Sequence, residues 1–106
     1  MAKDLSVATL LDTYGNMLTP RQMDVVGYYY CDDLSLAEIA ENEGITRQAV
    51  RDLIRRAVGQ LIEMEQKLGF ATKIQSVYNT AKDIRKAAEE SDTASVISLC
   101  DGLLKE

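Results

Sequence analysis

Arg47, Arg51 and Arg55 recur at every fourth residue, and Thr46, Gln48, Asp52 and Arg56 lie among them. On a helix, that spacing lines the three guanidinium groups up in one row. A guanidinium is a planar fork of donors that matches phosphate oxygens and the O6/N7 edge of guanine; a glutamine amide matches the N6/N7 edge of adenine. Like charges four residues apart cost about 0.2–0.5 kcal/mol per pair on an isolated helix. A polyanion would turn that cost into a gain. The chemistry suggested is recognition of a nucleic acid rather than bond making. The competing reading is a solvated face on which Asp52 pairs with Arg56.

Such a row needs a helix held outward, and residues 35–54 read as the device that does this. Ser35 and Glu38 form the pattern of a capping box, in which each side chain bonds the other's backbone N–H. Leu36, Ile39 and Ala40 then share one helical face, and the small Ala40 suits a close helix crossing. Gly44 follows where a tight turn needs positive φ. Ile45 is expected to plug the turn into the core, and Thr46 to cap the next helix. Ala49, Val50, Leu53 and Ile54 supply its buried stripe, which leaves Arg47, Gln48, Arg51, Asp52 and Arg55 pointing away. This is the pattern of a helix-turn-helix, whose second helix enters the major groove of DNA. The expected DNA-binding residues are Thr46, Arg47, Gln48, Arg51, Asp52, Arg55 and Arg56. Gln48 and Arg51 are placed toward base edges, and Arg47, Arg55 and Arg56 toward phosphates.

The whole chain sets limits on other functions. Its 106 residues, 46% of them hydrophobic, suit one compact domain. The net charge of −5 argues against a general nucleic-acid coat protein. That charge is uneven: residues 32–43 carry five acids and no base, whereas residues 47–56 carry four arginines against Asp52. One face can therefore meet a polyanion while another is repelled. There is no histidine, and Cys31 and Cys100 stand alone, so neither a zinc site nor the commonest general base is expected. No nucleotide-binding glycine loop or nucleophile–base pair is visible, so neither an enzyme nor a cofactor is expected. Asp32-Asp33 reads as a helix-ending turn rather than a catalytic pair. Without a signal peptide or a long apolar run, the two cysteines read as reduced thiols of a cytoplasmic protein with no membrane insertion.

Periodicity places the remaining helices. Residues 4–17 carry Val7, Leu11, Tyr14 and Leu18 at helical spacing, with Gly15 and Asn16 as an end signal. Thr19, Pro20 and Gln22 open a second helix, expected to run to Tyr30 with Met23, Val26 and Tyr30 on its inner face. Tyr28, Tyr29 and Tyr30 read as packing residues rather than a base-stacking platform. Ile54, Ala57, Leu61, Met64 and Leu68 extend the recognition helix as a heptad seam up to Gly69. Phe70, Ile74, Val77, Ala81, Ile84 and Ala88 continue the period, and Val96, Leu99, Cys100 and Leu103 mark a last helix. Two arrangements stay open for these stripes: folding back on the N-terminal helix, or pairing with a second copy as a homodimer.

Leu18-Thr-Pro-Arg-Gln through Tyr30, Asp32 through Ala40, and Thr46 through Arg56 resemble the YlxM family of small bacterial helix-turn-helix proteins. They are more distantly similar to region 4 of the sigma factors. The resemblance spans about residues 5–75. It implies an all-α fold: a helix-turn-helix bundle of the sigma region 4-like, winged-helix-like superfamily with a long helical C-terminal extension. We expect residues 1–68 to form the DNA-binding domain and residues 69–106 the extension, for packing or dimerisation within the same compact unit. The resemblance also implies a link to the signal recognition particle, drawn from gene neighbourhood. Two functions are therefore expected: a DNA-binding regulator of transcription, or a module binding the particle's RNA or GTPase.

Overall fold

Six helices follow this punctuation in a computed structural model that describes residues 5–105. They are α1 (Leu5–Tyr14), α2 (Pro20–Tyr30), α3 (Leu36–Glu43), α4 (Arg47–Leu68), α5 (Phe70–Glu89) and α6 (Thr93–Leu104). No strand occurs among the described residues. The expected helix start at Asp4 lies outside them. After Tyr14 the chain does not stay α-helical to residue 17; it tightens into a 3-10 turn over Gly15–Met17. Leu18 N–H closes that turn on the Gly15 carbonyl at 3.0 Å. Gly15 is buried, and a Cβ added there would lie 3.4 Å from Leu11 Cδ1.

The caps form as the local pattern requires. Thr19 Oγ1 accepts from Gln22 N–H at 3.2 Å, and Thr19 N–H donates to Gln22 Oε1 at 3.0 Å. Gln22 Nε2 then donates to Gln60 Oε1 at 3.0 Å, so one side chain both starts α2 and ties it to α4. Ser35 and Glu38 exchange the same pair of bonds, each at 3.1 Å. Asp33 adopts φ 58° where α2 has ended, in keeping with the helix-breaking role expected of the acidic pair.

Contacts divide the chain into two compact units, one up to Ala71 and one from Thr72. In the first unit, α1, α2 and α3 all pack on α4. One cluster joins Val7, Leu11, Tyr14, Leu18 and Val26 to Ala57, Leu61 and Ala71. The other joins Val25, Tyr29, Ile39 and Ala40 to Val50 and Ile54. The N-terminal half of α4 therefore belongs to the helix-turn-helix, and its C-terminal half is covered by α1.

The inner face of α2 differs from expectation. Val25, Val26 and Tyr29 are buried, whereas Met23 is 40% exposed and Tyr30 is half-buried. The reason is that α2 meets neighbours on two sides. Val26 faces the α1 cluster and Val25 the α3 cluster, so the buried arc is wider than one stripe. Tyr29 and Tyr30 meet edge to face at 5.1 Å between ring centroids, consistent with packing. The heptad seam of α4 also fades along its length: Ile54, Ala57 and Leu61 are buried, Met64 is half-buried and Leu68 is exposed.

A clasp closes the first unit at the junction of α4 and α5. Gly69 takes φ 67° and ends α4, its N–H bonding the Glu65 carbonyl at 2.8 Å. The first N–H groups of α5 have no partner within the helix. Phe70 N–H donates to Tyr14 Oη at 3.0 Å, and Ala71 N–H donates to Glu65 Oε1 at 3.0 Å. Tyr14 Oη in turn donates to Glu65 Oε1 at 2.6 Å. Burial and the Glu65 carboxylate raise the Tyr14 pKa above its ordinary 10.0. The folded state thus favours the protonated phenol. Its contribution to stability is complete below pH 10 and is lost as pH rises through the folded pKa. We expect the denaturation midpoint to fall more steeply above about pH 10 in the native protein than in Tyr14→Phe. Equal slopes in the two proteins would contradict the clasp.

In the second unit, α5 ends with Ser91 at φ 58°, Asp92 N–H bonding the Ala87 carbonyl at 2.8 Å. Asp92 then caps α6 through Ser95 N–H at 3.1 Å and Ser95 Oγ at 2.6 Å. Those bonds lower the Asp92 pKa. Among this unit's described residues, Ala87 is the one buried apolar side chain. Ile74, Val77 and Tyr78 on α5 are exposed, and Val96, Leu99, Cys100 and Leu103 on α6 are half-buried. The periodic stripes therefore exist as helical faces but are not enclosed as a core. Cys31 and Cys100 are both free thiols.

Candidate nucleic-acid interface

The turn between α3 and α4 sets the aim of the candidate residues. Gly44 adopts φ 67° and ψ 34°, a conformation glycine reaches without a Cβ clash. Ile45 N–H bonds the Ala40 carbonyl at 3.1 Å, and Gly44 N–H bonds the Glu41 carbonyl at 3.4 Å, which closes α3 as a Schellman motif. Ile45 is half-buried against the second cluster. Thr46 Oγ1 accepts from Ala49 N–H at 3.0 Å and starts α4. That hydroxyl oxygen serves the cap, and its own proton stays free to donate.

Burial of Val50, Ile54 and Ala57 fixes the rotation of α4, because these three are fully enclosed. The opposite face must then be solvated. Thr46, Arg47, Gln48, Arg51, Arg55 and Arg56 are all exposed, and Asp52 is half-buried at the border. Arg47, Arg51 and Arg55 form the expected row. Among the described residues, no ion pair engages these three or Arg56. The acids of α3 are spent elsewhere: Glu38 caps its own helix, and Glu43 pairs with Arg21 at 3.5 Å.

Asp52 does not form the pair with Arg56 that a solvated face would have offered. Its Oδ1 accepts from Gln48 Nε2 at 3.0 Å, one turn back along α4. A carboxylate within an arginine row opposes a polyanion, so direct phosphate contact is not its chemistry. Arg47 and Arg51 also border an open depression of about 460 Å³, shared with Tyr29, Asp33 and the capped start of α3. Arg56 and Asp52 border a second hollow with Gln22 and Leu53. Neither is an enclosed cavity. Among the described residues no group of three His, Cys, Asp or Glu side chains converges as a metal site would require, and no helix is long and apolar enough to cross a membrane.

Two contributors escaped the sequence reading. Gln22 looked like a capping residue alone, yet it also docks α2 against the flank of α4 through Gln60. Glu65 looked like surface charge, yet it organises the start of α5. A cap has its partner within three residues; these partners lie far along the chain, and no local pattern marks them.

Comparison with known proteins agrees with this geometry. The family described as "UPF0122: Putative helix-turn-helix protein, YlxM / p13 like" matches residues 1–99. The UPF0122 protein STH1464 of Symbiobacterium thermophilum is 42% identical over 89 residues, covering 84% of this chain and 83% of the relative. The UPF0122 protein ABC2295 of Shouchella clausii is 41% identical over 102 residues, covering 96% and 91%. The UPF0122 protein CA_C1753 of Clostridium acetobutylicum is 42% identical over 85 residues, covering 80% and 73%.

Proposed function

We propose that this chain, which belongs to the UPF0122 family of helix-turn-helix proteins, binds double-stranded DNA through α4 and acts as a regulator of transcription. The observation that carries the reading is the exposed arginine row, unpaired among the described residues and held outward by the burial of Val50, Ile54 and Ala57. Thr46, Gln48 and Arg51 meet the groove; Arg47, Arg55 and Arg56 hold the backbone. Residues 1–68 carry this interface, and residues 69–106 serve packing or dimerisation.

The test is duplex binding measured against salt. Neutralising three or four phosphates gives a log–log slope of about −3 to −4. The Arg51→Ala, Arg55→Ala double variant should weaken binding and make the slope shallower by about 2. Binding and slope that survive both substitutions unchanged would remove the arginine row from the interface. A second reading, in which the chain is a module for signal recognition particle RNA or its GTPase, draws on the exposed apolar face of α5, which DNA binding leaves unused. Recovery of that RNA or GTPase from cells, with no enrichment of DNA, would favour it.

A further inference from the structure

Asp52 stands in a row of arginines and takes none of them as its partner. Its Oδ1 lies 3.0 Å from Gln48 Nε2. A carboxylate only accepts, so the amide nitrogen and not the amide oxygen must face it. The orientation of the amide is thereby settled. Gln48 Oε1 and the second hydrogen on Nε2 are left for another molecule. Gln48 is the second residue of α4, in the part of a recognition helix that meets base edges. One acceptor and one donor on a planar amide complement the N6 and N7 atoms of adenine. Guanine offers two acceptors at the same edge and does not match.

Resting on the duplex-binding reading above, we propose that Asp52 is a positioning residue that holds the Gln48 amide for adenine, so that an A·T pair is preferred beneath the N-terminus of α4. The acid weakens attraction to the backbone and in return orders the one neutral base reader on the face. Affinity and specificity therefore move in opposite directions when it is removed.

The experiment is selection from a randomised duplex library, with affinity measured for the selected site and for its A·T to G·C variant. It uses the full chain and the variants Gln48→Ala, Asp52→Ala and Asp52→Asn, each checked for native helicity. The wild type should prefer the adenine site by about five-fold or more, the lower end for one bidentate pair. Gln48→Ala should abolish that preference. Asp52→Ala should bind both duplexes more tightly, having lost a negative charge, while the preference falls toward one. Asp52→Asn keeps an accepting oxygen and should retain the preference with the same gain in affinity. A structural role alone would not separate the two readouts. Unchanged preference in Asp52→Ala, or a wild-type preference insensitive to Gln48→Ala, would overturn the inference and leave duplex binding intact. No binding to any duplex would overturn both.

Discussion

Ile54→Ala is expected to destabilise the first unit by about 2–5 kcal/mol, the range for a large aliphatic removed from a closed core. Ile54 is 0% exposed and packs in the cluster that contains Ile39, Ala40 and Tyr29. It thus holds α4 against both α2 and α3. A unit of this size commands only about 4–10 kcal/mol in total, so the variant should unfold at much lower denaturant. The control lies two turns along the same helix. Ile62 is 43% exposed, and Ile62→Ala should cost under about 1 kcal/mol. Urea titration reads both, and an unchanged m-value would locate the effect in stability rather than in compactness. Similar midpoints for the two variants would mean that α4 is not rotated as described. Because the same rotation exposes the arginines, that result would also undermine the proposed interface.

The second large effect is expected at the clasp. Glu65→Ala removes the acceptor for Tyr14 Oη and for Ala71 N–H together. Tyr14 is only 3% exposed, so water replaces the lost partner poorly. Leaving a buried polar group unsatisfied costs about 1–3 kcal/mol. Glu65→Gln retains an accepting oxygen and should lose less. Hydrogen exchange gives a local readout: the Phe70 and Ala71 amides should exchange faster in Glu65→Ala, while those of Ile39 and Ala40 keep their protection relative to the new global stability. Unaltered exchange at Phe70 and Ala71 would show that the carboxylate does not hold the start of α5.

Much of the candidate interface was legible because its determinants are local. Thr46, Arg47, Gln48, Arg51, Asp52, Arg55 and Arg56 occupy one short stretch, and helical period alone puts Arg47, Arg51 and Arg55 in a row. Which partner Asp52 takes was not legible. Gln48 and Arg56 both lie four residues from it, and spacing does not choose between them. Helical period predicted the stripe on α5 but carried no information on whether anything covers it; Ile74, Val77 and Tyr78 are exposed.

By itself the sequence determined where the helices begin and end. Thr19, Ser35, Thr46 and Asp92 cap, and Gly44 and Gly69 turn, through atoms no more than a few residues away. Only the tertiary structure decided that α2 buries Val25, Val26 and Tyr29 rather than a single stripe, that Gln22 reaches Gln60, and that Tyr14 meets Glu65 across 51 residues. The physical reason is one of range. Capping and left-handed turns are settled by the dihedrals of neighbouring residues, whereas which side chains meet between helices depends on how those helices cross once the core has closed around α4.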